Sequence, residues 1–125
     1  MDATRKKILV VDDDRTVHAL LKLMFEKAGY QVFAALDAIQ GLMLAKQIKP
    51  DLIVLDIMMP AGGGFAVYER LQMMSGSFQV PFLIYSSMAP DEVAKKIHEG
   101  PSVIVLNKVA RPEEVLEAVK RLTGG

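Results

Sequence analysis

The 125-residue sequence contains no cysteine, which excludes disulfide bonds, thiol catalysis and thiolate metal sites. It also has no excess of charge, because 15 Lys and Arg residues balance 15 Asp and Glu residues. A net charge of zero gives no general attraction to nucleic acid or to an anionic membrane. No apolar run approaches the roughly 20 residues of a membrane-spanning helix. The apolar run of four residues that follows the N-terminus is too short for the core of a signal peptide. We therefore expect a soluble cytoplasmic domain, without membrane insertion or direct nucleic-acid binding.

Internal repeats, low-complexity tracts and linkers are also missing from the sequence. A chain of this length can bury a hydrophobic core without the support of disulfides or metals. Hydrophobic residues make up 51% of the chain and charged residues 24%, as in ordinary globular proteins. We expect one domain over residues 1–125, with no output domain in this chain.

Five short apolar segments predict five buried strands. They are ILVV (8–11), YQVFAA (30–35), LIVL (52–55), VPFLIY (80–85) and SVIVL (102–106). Apolar and polar residues do not alternate along them, so both faces of each strand should be covered, as in a parallel sheet.

Segments with helical periodicity separate these strands. They are expected between Arg15 and Gly29, between a cap at Asp37 and Pro50, from about Phe65 to Met74, from about Pro90 to Glu99, and from Pro112 to Leu122. Alternating strands and helices with right-handed crossovers predict an α/β fold. The best candidate is a doubly wound (βα)5 fold, whose five-stranded parallel sheet has the flavodoxin-like order 2-1-3-4-5.

Polar side chains follow four of the five predicted strands. They are Asp12, Asp13 and Asp14 after the first strand, Asp56 after the third, Ser86 after the fourth and Lys108 after the fifth. The carboxyl ends of parallel strands share one edge of the sheet, and ligands bind there at the switch point between strands one and three. We therefore expect Asp12, Asp13 and Asp56 to flank a crevice.

Three neighbouring carboxylates need a compensating cation. Two carboxylates about 4 Å apart repel each other by roughly 4 kcal/mol at an effective dielectric constant near 20. Lys108 can offset part of this cost, and a hard divalent cation can offset more. Mg²⁺ suits a site with few carboxylates, water and a phosphate group. Taken singly, an acid after a strand can instead cap the next helix, and Asp14 is a candidate cap for the helix that begins at Arg15.

The ordered set of motifs resembles response-regulator receiver domains over essentially the whole chain. The motifs are ILVVDDD, LIVLDIMMP with GGF after it, PFLIYSS and VLNK. The resemblance implies two-component signalling, in which a sensor histidine kinase or phosphotransfer protein donates the phosphoryl group of a phosphohistidine. The resulting aspartyl phosphate would switch protein–protein contacts with a downstream target. Such a domain is a signalling phosphoacceptor that assists its own phosphorylation and dephosphorylation, rather than an enzyme.

The resemblance also assigns roles to individual residues. Asp56 corresponds to the phosphoacceptor, Ser86 to a hydroxyl that contacts a phosphoryl oxygen, and Lys108 to an ammonium group that contacts another. The implied ligands of Mg²⁺ are Asp12, Asp13, Asp56 and the backbone carbonyl oxygen of Met58.

Val105 and Val109 are two of the positions that depart from the family pattern. Val105 stands three residues before the lysine, where the family usually has an aromatic residue whose rotation reports phosphorylation. Val109 follows the lysine, where proline is usual. We therefore expect the conformation of the Lys108 loop, and the route by which the signal leaves the pocket, to differ from the usual ones.

Two alternative functions remain compatible with the motifs. The segment DDDRT also fits the D-x-D-x-T signature of haloacid-dehalogenase-type phosphatases, with Asp12 as nucleophile and Asp14 as acid. That function would leave Asp56 without a role. The other alternative is a receiver-fold interaction module that does not depend on phosphorylation, which Val105 and Val109 keep open.

Several other residues are expected to be structural. His18 and His98 lack metal-ligand spacing and should lie on helix surfaces. Met58 and Met59 are expected to provide packing and loop contacts rather than metal-binding sulfur. Gly62–Gly64 should form a flexible turn, and they are not expected to bind phosphate, because no phosphate-loop motif surrounds them.

Overall fold

Strands and helices alternate as five βα units in this computed structural model, which describes residues 5–59, 63–75 and 80–124. The elements are β1 (Lys7–Val11), α1 (Arg15–Lys27), β2 (Gln31–Ala35), α2 (Ala38–Ile48), β3 (Leu52–Leu55), α3 (Gly63–Ser75), β4 (Phe82–Ser86), α4 (Pro90–Ala94), β5 (Val103–Asn107) and α5 (Pro112–Thr123). Within these described residues, no helix is both long and apolar enough to cross a lipid bilayer.

The five strands form one parallel sheet in the order β2-β1-β3-β4-β5. The predicted flavodoxin-like order is therefore confirmed. Val11 lies beside Leu55, and Ser86 lies beside Asn107, so the strand ends are aligned. The residues that follow these ends consequently share one edge of the sheet.

Both faces of the sheet are buried, each under a different set of helices. Successive side chains of a strand point to opposite faces. Ile8 and Val10 of β1 belong to the cluster formed with α1 and α5, whereas Leu9 and Val11 belong to the cluster formed with α2, α3 and α4. Every residue of β3 and β4 is buried, which explains why their sequences show no alternation.

The first two helices begin at the predicted acidic caps. Asp14 accepts a hydrogen bond from the Thr16 N–H (2.8 Å) at the start of α1. Asp37 accepts one from the Gln40 N–H (2.8 Å), and the Gln40 side chain accepts one from the Leu36 N–H (2.7 Å). The contacts of the Thr16 and Gln40 N–H groups satisfy backbone donors that the first turn of a helix leaves free.

The fourth helix is shorter than predicted, while the strand bounds differ from the predicted ones by only one or two residues. The expected helix to Glu99 is wrong, because α4 ends at Ala94. Beyond this point Ile97 is buried in the core, and the Glu99 carboxylate accepts a hydrogen bond from the Val105 N–H (2.8 Å). The chain therefore leaves the helix to bury one side chain and to satisfy a backbone donor of the edge strand β5.

Gly64 lies against the loop that follows β3. A Cβ at this position would lie 2.0 Å from the Cα of Ile57 and 2.8 Å from the carbonyl oxygen of Asp56. The predicted flexible turn over Gly62–Gly64 is wrong at Gly64, which belongs to the first turn of α3 and donates a hydrogen bond to the Ile57 carbonyl (3.0 Å). Pro60 and Gly62, which the sequence placed in the same loop, lie outside the described residues.

Replacing Gly64 by alanine should lower the free energy of unfolding by about 3 kcal/mol, because the Ile57 backbone would have to move. Gly100→Ala is the matched control, since a Cβ at Gly100 meets no atom within 4 Å. Urea denaturation monitored by circular dichroism measures both effects. Equal effects of the two substitutions would contradict the close approach at Gly64.

Candidate functional site

Three carboxylates lie together beyond the carboxyl ends of β1 and β3. One oxygen atom from each of Asp12, Asp13 and Asp56 lies within 4.8 Å of the other two. Asp12 and Asp56 are buried, with 2% and 6% of their surface exposed, whereas Asp13 is exposed. The three acids that the sequence placed at the switch point are thus brought together, with one side open to water.

Backbone hydrogen bonds extend the sheet by one residue and fix the two buried acids. The Asp12 N–H donates to the Ala35 carbonyl (3.0 Å), and the Asp56 N–H donates to the Val11 carbonyl (3.0 Å). The position of each acid therefore depends on the neighbouring strand, β2 for Asp12 and β1 for Asp56.

Each buried carboxylate divides its two oxygens between a local turn and the pocket. Oδ1 of Asp12 accepts a hydrogen bond from the Asp14 N–H (2.9 Å), and Oδ1 of Asp56 accepts one from the Met58 N–H (2.9 Å). Such contacts with the N–H two residues ahead are Asx turns, which fix the side chain as well as the loop. In both residues Oδ2 faces the pocket, where it contacts Lys108.

Lys108 bridges the two buried carboxylates. Its Nζ lies 2.8 Å from Oδ2 of Asp12 and 3.1 Å from Oδ2 of Asp56, and its own N–H donates to the Ser86 carbonyl (2.9 Å). Burial alone lowers the pKa of Lys108, but its contacts with Asp12 and Asp56 outweigh burial and raise that pKa above its usual value. Burial raises the pKa of Asp12, although hydrogen bonds from Lys108 and the Asp14 N–H oppose this. Lys108 therefore stays protonated, whereas the buried negative charge of Asp12 lowers the stability of the folded state.

Ser86 and the two methionines occupy the neighbouring loops. Ser86 is buried, and its Oγ accepts a hydrogen bond from the Met88 N–H (3.2 Å). Met59 is buried in the core, as predicted, whereas the Met58 side chain is exposed, and its sulfur accepts a hydrogen bond from the Ser87 hydroxyl (3.2 Å). Met58 therefore links the loops after β3 and β4 instead of packing in the core.

His18 was expected on a helix surface, and this prediction is wrong. The residue is half-buried, with Nε2 located 2.7 Å from the Asp12 carbonyl oxygen and 3.1 Å from the Ala35 carbonyl oxygen. Because both partners are acceptors, Nε2 carries the hydrogen and joins the ends of β1 and β2. The sequence signal was its helical spacing with Leu21, which faces the core. His98 is exposed, as predicted, but it lies beyond the end of α4 rather than on a helix.

Residues 8–120 match the family described as the response regulator receiver domain. This chain belongs to that family. The match covers four strands completely, all of β1 except Lys7, and most of α5. The receiver fold and the two-component signalling class inferred from the motifs are therefore confirmed.

Curated relatives of this receiver include two transcriptional regulators and a phosphotransferase. The chain is 34% identical over 116 residues to the DNA-binding dual master transcriptional regulator RpaA of Synechocystis, covering 93% of this chain and 48% of that protein. It is 40% identical over 119 residues to the alkaline phosphatase synthesis transcriptional regulatory protein PhoP of Bacillus subtilis, covering 94% and 48%. The chain thus spans about half the length of these two relatives. It is 30% identical to sporulation initiation phosphotransferase F of Bacillus subtilis, covering 93% and 92%.

Solved structures give the same picture of the receiver fold. The chemotaxis response regulator CheY4 of Vibrio cholerae superposes with a TM-score of 0.84 at 28% identity, covering 95% of this chain and 99% of that one. A putative response regulator from Chloroflexus aurantiacus superposes with a TM-score of 0.85 at 25% identity, covering 98% and 100%.

At neutral pH without metal, Asp12→Asn should raise the free energy of unfolding by about 1 kcal/mol, because it removes a buried carboxylate charge. Since folding raises the pKa of Asp12, the native state binds this proton more tightly than the unfolded state does. The cost of the charge is therefore absent below the ordinary value of 3.8 and grows as the pH rises through the raised pKa.

Urea denaturation in EDTA, at neutral pH and at about pH 3, measures this difference. The gain should be present at neutral pH and absent in acid. A loss of stability at neutral pH would contradict the assignment of Asp12 as a charge held at a cost.

Proposed function

We propose that this receiver accepts a phosphoryl group on Asp56 from the phosphohistidine of a sensor histidine kinase or phosphotransfer protein. The placement of the Lys108 ammonium group carries this proposal, since it touches the pocket-facing oxygens of both Asp12 and Asp56. A fixed cation at this point can contact a phosphoryl oxygen as negative charge develops during transfer. The family match and the relative that is named a phosphotransferase support the same chemistry.

The acidic cluster fits a magnesium ion. Its donors are oxygens, which Mg²⁺ prefers, and exposed Asp13 leaves one side of the cluster open to the water ligands that this ion keeps. We assign Asp12, Asp13, Asp56 and the backbone carbonyl of Met58 as the residues that would hold Mg²⁺. When bound, the ion would neutralise negative charge on the phosphoryl group.

In this proposal the protein contributes position and charge to an in-line displacement. A carboxylate oxygen of Asp56 attacks the phosphorus, a new O–P bond forms, and the P–N bond of the phosphohistidine breaks with its electron pair passing to the imidazole. The Lys108 Nζ exchanges its contact with Asp56 for a phosphoryl oxygen. The Ser86 hydroxyl, now an acceptor from the Met88 N–H, rotates to donate to another phosphoryl oxygen.

The output would be a change in protein contacts. Phosphorylation would shift an equilibrium between two arrangements of the loops around the pocket, since only one of them offers donors to the phosphoryl oxygens. In this role the domain acts as a signalling phosphoacceptor, and its downstream target is a protein.

Incubation with acetyl phosphate and Mg²⁺ should form an acyl phosphate on Asp56, which borohydride reduction and peptide mass spectrometry can locate. Asp56→Asn should abolish the product, because it removes the nucleophilic oxygen. Asp14→Asn is the matched control and should leave the product in place, since Asp14 caps α1.

The same experiment separates the alternatives. A label on Asp12, lost in Asp14→Asn, would contradict the proposal and favour a haloacid-dehalogenase-type phosphatase. The absence of any acyl phosphate in the wild-type protein would favour an interaction module that does not depend on phosphorylation.

A further inference from the structure

We infer that Asn107 is a positioning residue for Lys108. It holds the loop of residues 108–110, called the lysine loop below, through the N–H of Val109. This inference deepens the proposed function and rests on it, because it concerns the placement of the lysine proposed to contact the phosphoryl group. It also gives a physical meaning to Val109, which stands where the family usually has proline.

The loop after β5 has to carry Lys108 back across the sheet. In the strand order, β5 is three positions from β1, a distance of about 14 Å at the usual spacing of strands. Nevertheless, the Lys108 Nζ lies 2.8 Å from a carboxylate oxygen of Asp12, which follows β1. A lysine side chain extending straight on from β5 would not cover that distance, so the backbone must turn over the strand ends.

The turn is closed by hydrogen bonds on both sides of Lys108. The Ala110 N–H donates to the Asn107 carbonyl (2.9 Å), which places Lys108 and Val109 at the centre of a β-turn. The Val109 N–H donates to Oδ1 of the Asn107 side chain (3.0 Å). Asn is a preferred first residue of such turns, because its side chain accepts the N–H two residues ahead.

Three other strand ends at this edge have the same local arrangement. The side chains of Asp12, Asp56 and Ser86 each accept a hydrogen bond from the N–H two residues ahead. All three are proposed site residues that this contact holds in place. Asn107 is the fourth member of the set, and it holds the residue that follows it.

Asn107 also reaches the loop that carries Ser86. Its Nδ2 lies 3.4 Å from the Met88 carbonyl oxygen, while the Met88 N–H donates to the Ser86 hydroxyl. The contacts of Oδ1 and Nδ2 agree on a single orientation of the amide. Asn107 therefore connects the lysine loop with the loop that positions the Ser86 hydroxyl.

The contact with Val109 depends on the residue at that position. Proline has no N–H and could not donate to Asn107. Val109 supplies this donor while 87% of its own surface is exposed, so the backbone, rather than the side chain, makes the contact that matters here.

A double-mutant cycle with acetyl phosphate tests the inference. Asn107→Ala should slow phosphorylation of Asp56 about tenfold, because the lysine loop loses its fixed position. In a Lys108→Ala background the same substitution should cause no further loss, since Asn107 acts through Lys108. Asn107→Ser should recover most of the rate, because its hydroxyl can accept the Val109 N–H.

Asp37→Ala is the matched control. It removes another side-chain contact with a backbone N–H, at the cap of α2, and should leave the phosphorylation rate unchanged. Circular dichroism of each variant shows whether it folds. A wild-type rate in Asn107→Ala, or an equal loss with and without Lys108, would overturn the role of Asn107.

Hydrogen exchange of the Val109 amide separates this inference from the proposed function. The exchange should become faster in Asn107→Ala and stay slow in Asn107→Ser, whether or not the protein is phosphorylated. Unchanged exchange in Asn107→Ala would overturn the inference alone. If the wild-type protein formed no acyl phosphate with acetyl phosphate and Mg²⁺, the proposed function would be overturned. The hydrogen exchange of the Val109 amide would still decide whether Asn107 holds the loop.

Discussion

Two buried carboxylates share one ammonium group, and the other features of the pocket depend on this contact. Asp12 and Asp56 are almost removed from water, so without Lys108 their charges would be desolvated and would repel each other. The strand order supplies the acids from neighbouring strands β1 and β3, and the loop after β5 supplies the cation. One ammonium group cannot balance the charges of three carboxylates, and this imbalance is the reason for proposing a Mg²⁺ site here.

The surrounding fold holds these charged side chains in position. A slip of β3 by one residue would move Asp51 or Asp56 into the buried part of the sheet, so these flanking acids fix its register. One oxygen of each buried acid is engaged in a turn, which leaves the other oxygen directed at the pocket. Gly64 allows α3 to begin directly against the backbone that follows Asp56. Asp56 is thus held by the sheet, by its own turn and by the helix that follows it.

The sheet and the placement of the site could be predicted from the sequence, whereas several contacts between elements could not. Unbroken apolar segments alternating with helical ones define the sheet, and parallel strands bring Asp12, Asp56 and Lys108 to one edge without further information. The early end of α4, the contacts of His18 and the contact of Asn107 with the Met88 carbonyl could not be predicted in the same way. Each depends on backbone atoms of another element, whose positions exist only after the chain has folded.

Val105, which stands where the family usually has a signalling aromatic residue, has a structural role in this protein. Its side chain packs against the core cluster under α2, α3 and α4, and its N–H is bonded to Glu99, so it is a packing residue of the edge strand. Contacts between the loops after β4 and β5, through Ser86, Met88 and Asn107, connect the pocket with its surroundings by another route.

The central claim is that the Lys108 Nζ exchanges its contact with Asp56 for a contact with the phosphoryl group. A crystal structure with Mg²⁺ and beryllofluoride, which mimics a phosphoryl group, tests it most directly. The account predicts beryllium bound to the Asp56 carboxylate, with the Lys108 Nζ moved from Asp56 to a fluorine atom. An adduct on Asp12, or a lysine that still bridges both carboxylates beside the adduct, would contradict it.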